Sequence, residues 1–307
     1  MIIDCAVIGG GPAGLNASLV LGRSRRKTVL FDDNKPRNAV TSESHGFMTR
    51  DGIDPQELKR IAQEELRKYP SVAIEKQRVE SVNKADGLFR IEAEDGSVFF
   101  AQKVILATGF KDKLPDVEKV EEYYGKSLFS CPFCDGWELQ DRPLAVISEN
   151  PKAMHLAKVV SNWTDDLIVC TNGKQILSNA DKTLLESKGI KVYEQAIRSL
   201  VGEDGQLKKI EFEDGSAVPR EGGFITPEWV QATTIGSSLG CRLNVQGGIE
   251  TDAMGRTSIE GVFAAGDTLI AGASQLVIAA AEGSKAAIGV NAALIEAKFK
   301  TPVSASN

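Results

Sequence analysis

Cys131 and Cys134, in the stretch FSCPFCDGWE, stand three positions apart, and Asp135 follows directly. Such a pair can bind a metal, staple a loop or carry electrons. Structural zinc wants four ligands, usually as two close pairs. The other cysteines, Cys5, Cys170 and Cys241, are isolated, and the histidines are His45 and His155. No metal site is therefore expected. One close pair among an odd number of cysteines is a poor disulfide framework, and a static disulfide is disfavoured in a reducing compartment. A redox-active pair is the reading that remains. Residues i and i+3 lie on one face of a helical turn, so the sulfurs can meet. Pro132 suits the first helical position, which puts Cys131 at a helix N-terminus, where free N–H groups lower a thiol pKa. Asp135 can exchange a proton with a thiol, or it is simply a first-turn acid suited to the helix dipole. Spacing alone gives the two cysteines no separate roles.

A second chemistry is written at the N-terminus. GGGPAG sets Gly9, Gly11 and Gly14 in G-x-G-x-x-G spacing, with Pro12 and Ala13 between the last two. Gly9 permits a tight turn, Gly11 lets backbone approach a pyrophosphate, and Gly14 lets helix and strand pack closely. Asp32 ends the next apolar run, 18 residues beyond Gly14. A carboxylate there can bind a ribose hydroxyl. Asp33 is the alternative acid.

These residues need elements to hold them. DCAVIGGGPAGLNASLVLGRSRRKTVLFDD reads as strand, glycine turn, helix and strand, one βαβ unit. Residues 54 to 69 form an amphipathic pattern with Asp54 as N-cap and Pro55 in the first turn. KVILATGF reads as a buried strand, and a second strand–turn–helix begins near Pro143. KKIEFEDGS and GGFITPEWV read as one strand each, and a long helix closes the chain. The tail KTPVSASN is expected to fray. The 307 residues suffice for two domains, and 42% hydrophobic with 25% charged is an ordinary globular mix. A net charge of -6 argues against bulk nucleic-acid binding. Met1 leads straight into a strand-like run, so no signal peptide is expected. No apolar stretch is expected to reach the ~20 residues of a membrane helix. A cytoplasmic protein with no membrane contact is the expectation.

ILATGF (105–110) and GVFAAGD (261–267), taken with GGGPAG, resemble the flavoproteins with two dinucleotide-binding domains, which bind FAD. CPFCDG narrows the resemblance to the thioredoxin reductase-like group. The resemblance implies an α/β fold of two Rossmann-like domains. The FAD domain would be discontinuous, 1–117 and 245–307, and 118–244 would form an NAD(P)H-like domain carrying the cysteines. FAD would be held by the glycine turn, by Ala107, Thr108 and Gly109, by Gly266 and Asp267, and by Gln275 and Leu276 at the start of the last helix. Cys134 would exchange electrons with the flavin and Cys131 with the partner's sulfur, with Asp135 as acid–base group. A homodimer is implied in the same way. His45, in SHGF followed by TRDG, resembles the dithiol oxidases of gliotoxin and holomycin type. It reads either as a loop histidine or as a flavin-adjacent proton carrier.

One expected motif is missing. A nicotinamide-dependent member carries a second glycine-rich turn, where this chain reads VISENPKAMHLA. Pro151 removes an amide donor, Glu149 adds negative charge, and the next strand is followed by Lys174 rather than an arginine pair. The chain is thus read as an FAD-dependent oxidoreductase working without NAD(P)H. Ferredoxin-dependent flavin thioredoxin reductases and diflavin-linked disulfide oxidoreductases are similar. The donor would be a ferredoxin-like protein, or a second FAD in place of NADPH. The partner would be a thioredoxin-like protein or a small dithiol or disulfide. The alternatives are a dithiol oxidase using oxygen and an NADPH-dependent reductase with an atypical site.

Overall fold

A computed structural model describes residues 2–300; of the tail expected to fray, 300–307, Lys300 ends the last helix and 301–307 lie outside the described residues. The chain divides into two compact units, Met1–Ala39 with Pro55–Lys111 and Val230–Asn307, and Val40–Asp54 with Asp112–Trp229.

The first unit opens with β1 (Ile2–Ile8), α1 (Pro12–Arg23) and β2 (Thr28–Phe31). Then come α2 (Pro55–Leu66), β3 (Val72–Glu75), β4 (Val79–Ala85), β5 (Leu88–Ala93) and β6 (Val98–Leu106). Its sheet runs β3-β2-β1-β6-β5-β4. β1, β2, β3 and the inner half of β6 are parallel, while β4 and β5 form an antiparallel flank. Alternation along β1 divides the core. Cys5 and Val7 join Leu21 and Leu30 on one face, and Ala6 and Ile8 join Phe31 and Ile91 on the other. Phe31 meets Phe99 edge to face at 5.0 Å, and burying such a ring contributes about 2–3 kcal/mol.

The chain leaves this unit through β7 (Phe110–Lys113). In the second unit it forms α3 (Val120–Tyr123), β8 (Leu128–Phe129), α4 (Pro132–Asp135), β9 (Leu144–Ile147), α5 (Lys152–Val160), β10 (Leu167–Cys170), α6 (Asn179–Ser187) and β11 (Lys191–Tyr193). β12 (Ile197–Glu203), β13 (Gln206–Phe212) and β14 (Ala217–Pro219) make an antiparallel sheet of three strands. β15 (Gly222–Ile225) returns to the parallel sheet, ordered β11-β10-β9-β15-β8. The single strand expected over GGFITPEWV is two. Pro227 has no N–H for a ladder and restricts Thr226, so β15 stops and β16 (Glu228–Gln231) starts anew and pairs with β7.

Back in the first unit, α7 (Ile235–Ser238), β17 (Val262–Ala264) and α8 (Leu276–Lys300) complete the chain. β17 extends the parallel sheet beyond β6. α8 corrects one sequence expectation: by length and composition alone it is long and apolar enough to cross a membrane. Leucine, isoleucine and valine give it most of its apolar character, and its alanines and glycines serve close packing. Asn16 of α1 donates to the Ala280 carbonyl and to Ser284 Oγ, both at 2.7 Å. A side chain at Gly283 would overlap the Ala13 carbonyl.

Candidate active site

The glycine turn connects β1 to α1. Gly9 has φ +112°, a conformation that favours glycine, and a Cβ there would strike the Ala107 carbonyl. A Cβ at Gly14 would overlap the Gly9 carbonyl, and one at Gly10 would overlap the Asp32 carboxylate. Gly11 differs: nothing lies within 4 Å of where its side chain would stand. It is the N-cap of α1 and offers no side-chain cap, with Pro12 in the first turn. Crowding on one side and open space on the other make a cradle whose N–H groups await an anion.

Asp32 is buried beneath this turn. Its oxygens accept from Asn34 N (3.0 Å), from Gln63 Nε2 (3.1 Å) and from the Lys59 ammonium, which reaches Oδ1 at 2.8 Å and Oδ2 at 2.7 Å. Asp33 beside it is exposed. Lys59 was not singled out from the sequence, although a signal existed. It stands with Pro55 and Leu66 on the buried face of α2, where an apolar residue is the default.

At the carboxyl ends of β6 and β17, two loops meet. Gly109, φ +68°, donates its N–H to Thr268 Oγ1 at 2.7 Å, and Thr108 Oγ1 lies 3.4 Å from the same hydroxyl. Gly266, φ +71°, leaves no room for a side chain against Ala13. Asp267 follows in a 3-10 turn, Gly266–Leu269, and accepts from Ser274 Oγ at 2.7 Å. Arg37 was also missed. Its guanidinium donates to Ser274 Oγ (3.1 Å), lies 3.7 Å from Asp267 and sits 4.4 Å over the Phe110 ring. Gln275 and Leu276 lie at the start of α8. Glu282, about two turns further along the helix, accepts the Gly266 N–H at 2.9 Å. Burial holds its pKa above the ordinary carboxylate value, and nearby Asp267 adds to the rise. Cradle, converging loops and an arginine suit a dinucleotide with a ribityl chain.

In the second unit Cys131 and Cys134 form a disulfide, with Cα atoms 5.3 Å apart. Cys131 is the N-cap of α4 and Pro132 opens it, as expected, but the helix is a single turn ending at Asp135. Gly136 and the following turns replace the longer helix. A full macrodipole is therefore not available to the thiols. The N–H groups of Cys134 and Asp135 both donate to the Cys131 carbonyl, which fixes the loop. His45 belongs to this unit. Its Nε2 lies 3.5 Å from Glu43 and 3.6 Å from Glu138, one turn past Cys134, and its Nδ1 lies 3.7 Å from Asp51. The other cysteines are buried free thiols. Burial pushes the Cys170 thiol up to about 12 and the Cys5 thiol higher still, so neither supplies a thiolate.

The turn between β9 and α5 is closed by its own side chains. Ser148 Oγ lies 2.6 Å from Thr226 Oγ1 and bonds the Asn150 carbonyl at 2.9 Å. Asn150 Nδ2 donates to Thr226 at 3.1 Å, while its Oδ1 accepts the Lys152 N–H at 3.0 Å. Glu149 accepts from Asn172 Nδ2 at 2.7 Å.

Comparison with known proteins agrees with this geometry. The profile of the family described as pyridine nucleotide-disulphide oxidoreductase matches residues 3–283. A relative named "Thioredoxin reductase aclD", from Aspergillus oryzae, is 30% identical over 94% of this chain and 95% of its own. A "Probable thioredoxin reductase" from Arthroderma benhamiae is 34% identical, over 56% of this chain and 44% of its own. A crystal structure from Bacillus anthracis, provisionally described as the thioredoxin reductase TrxB, superposes with a TM-score of 0.93 at 49% identity. It covers 97% of this chain and 100% of its own. With its two Rossmann-like sheets, its disulfide and the FAD that the family implies, the chain belongs to the pyridine nucleotide-disulphide oxidoreductases and is a thioredoxin reductase-like flavin disulfide oxidoreductase.

Proposed function

We propose that this enzyme reduces a partner disulfide through Cys131 and Cys134 and draws its electrons from a reduced protein of ferredoxin type rather than from NAD(P)H. The observation that carries the donor reading is the turn Ser148–Pro151. A nicotinamide dinucleotide needs bare N–H groups and close backbone approach at the start of the helix. Here Asn150 takes the Lys152 N–H, Ser148 and Thr226 fill the turn, and Pro151 caps α5 without an N–H of its own. Glu149 adds a carboxylate where phosphates would lie. Beyond β10, Lys174 stands alone where a 2′-phosphate clamp would need a guanidinium fork. A second flavin has no observation behind it, and the proposal does without one.

FAD, when bound, accepts two electrons and passes them on as a pair. The first unit's residues do the holding. The N–H groups at Gly11 and the α1 N-terminus would meet the pyrophosphate, and Gly266, Asp267 and the Ala107–Gly109 loop would hold the ribityl end. Gln275 and Leu276 would border the ring. Once Cys131 and Cys134 are reduced, the thiolate of Cys131 attacks one sulfur of the partner disulfide and releases the other as a thiolate. Cys134 then attacks Cys131, which frees the second partner sulfur and restores the Cys131–Cys134 disulfide. Asp135 takes up or supplies the proton of the thiol it neighbours. Two electrons and two protons thus pass from the dithiol to the partner. His45 is assigned a positioning role beside this loop, its ring nitrogens lying within 3.7 Å of Glu43, Asp51 and Glu138.

An anaerobic titration of the flavin absorbance tests the reading. NADPH, NADH, dithiothreitol and photoreduced ferredoxin are added in separate cuvettes. Bleaching by ferredoxin and by the dithiol, with NADPH and NADH inert, is expected. Rapid bleaching by either nicotinamide would refute the donor assignment. Admitting air to the reduced enzyme then separates a reductase, reoxidised slowly, from a dithiol oxidase.

A further inference from the structure

The second unit carries an exposed aromatic patch beside its disulfide. Phe133 lies between the two cysteines and is 66% exposed, and Trp137 is 70% exposed. Both stand within three residues of a disulfide cysteine, and aromatic residues are enriched in binding hot spots. The patch is held rigidly from below. Trp163 meets Phe133 edge to face at 5.7 Å, and it lies so close to Gly136 that a Cβ there would stand 2.8 Å from the indole.

Next to the patch is a cavity of about 340 Å³ lined by Trp137 and Trp163, by Asp141 and Asp165, and by polar groups that include Gln140 and Asn162. Its size is at the small end of ligand pockets, enough for one side chain. None of its lining residues is basic, and Arg142, the neighbour of Asp141, does not line it. Among the described residues, neither the Asp141 nor the Asp165 carboxylate has an ion-pair or side-chain hydrogen-bond partner. Two indoles with two unpaired carboxylates attract a cation: the ring faces bind it by their quadrupole and the carboxylates by charge. A planar guanidinium suits both at once.

We infer that this face docks a disulfide-bearing protein, that Phe133 and Trp137 meet an apolar surface around its disulfide, and that a basic side chain of that protein, preferably arginine, enters the Trp137–Trp163–Asp141–Asp165 cavity. The inference rests on the disulfide-reduction reading above and names the partner it would take. The other acids near the loop, Asp135, Glu138, Glu43 and Asp51, extend the same sign of charge, so an acidic partner is repelled. The chain's net charge of -6 works in the same direction.

Three oxidised peptides with a common Cys-Gly-Pro-Cys core, flanked by three arginines, three glutamines or three glutamates, serve as probes. The FAD-loaded enzyme is photoreduced anaerobically and its reoxidation followed by stopped flow, with the uncharged bis(2-hydroxyethyl) disulfide as reference. The arginine peptide should reach half-saturation at about tenfold lower concentration than the glutamate peptide, the size expected for two exposed charge contacts and a cation–π contact. That ratio should fall below about twofold in an Asp141→Asn/Asp165→Asn enzyme and in 0.5 M salt. No preference in the wild type, or a preference the double variant keeps, overturns the inference. If neither peptides nor hydroxyethyl disulfide reoxidise the flavin, the proposed function fails instead. Titrating tryptophan fluorescence of the oxidised holoenzyme with the same peptides then still decides the docking, since it needs no turnover. A Trp137→Ser variant with an altered oligomeric state by sedimentation would assign the face to a second copy of this chain and overturn the inference as well.

Discussion

The two glycines that frame α1 should fail for different reasons, and the difference can be measured. Gly11 has φ -77° and ψ -177°, a backbone open to any residue, and nothing lies within 4 Å of its missing side chain. Gly11→Ala should therefore leave the apoprotein's stability within about 1 kcal/mol of wild type. The added methyl instead occupies the approach to the pyrophosphate. Loss of one charge-assisted N–H contact is worth about 1.5–3 kcal/mol, so the FAD dissociation constant should rise roughly 10- to 150-fold. Gly14→Ala places its methyl into the Gly9 carbonyl, and the turn must move against the core. Overpacking of this kind costs about 1–3 kcal/mol or more, and it appears without any cofactor. Apoprotein is made by acid precipitation. Urea unfolding gives the stability and flavin fluorescence quenching the affinity. If Gly11→Ala binds FAD as tightly as wild type, or if apo Gly14→Ala is as stable as wild type, the division between an open and a crowded face of the turn is wrong.

Lys59→Met should destabilise the apoprotein by about 3–5 kcal/mol in urea, because it strands the buried Asp32 carboxylate; a loss below 1 kcal/mol would show that the pair is dispensable. Glu282→Gln should stabilise the apoprotein at pH 7. The folded pKa of Glu282 lies above its unfolded value, so stability is lost progressively as the pH rises from the unfolded pKa through the folded one, and the full cost is present above it. The gain should shrink as the pH falls through the carboxylate range, and a pH-independent gain in thermal unfolding would refute it. Cys134→Ser should keep its yellow colour yet lose dithiol-to-flavin electron transfer to background; transfer at the wild-type rate under anaerobic stopped flow would remove Cys134 from the pathway.

Much of the first unit was legible in the chain. GGGPAG demands a turn between strand and helix because each glycine answers a separate steric requirement, and those demands are local. The one-turn helix at the cysteines was only half legible. Pro132 announces its start and Gly136 offers a stop, but what fixes the end there is tertiary: Gly136 is buried under Trp163 from 27 positions further on. Lys59 and Arg37 escaped because their partners, Asp32 and Asp267, are fixed by tertiary packing. The closed turn after β9 depends on Thr226, a residue delivered by β15 from the far end of the same unit. GGFI was hard to place in the middle of a parallel sheet. Its glycines lower strand propensity, and they are there because a side chain on Gly223 would overlap the Ala145 carbonyl.

The seating of α8 on α1 has a consequence for how the chain is made. Every strand of the second unit's parallel sheet, Leu128 to Ile225, is translated before α8 begins at Leu276. The first unit is not complete at that point. Until α8 emerges, the face of β1 and α1 that carries Val7, Leu15 and Leu21 has no lid, because Ala286, Ala287 and Val290 are its natural cover. The segment translated first is thus the last to be sealed. Its long-range closure is slow by the same entropy that penalises any distant contact. A nascent chain spends that interval with an apolar face open to chaperones and to its neighbours on the same message.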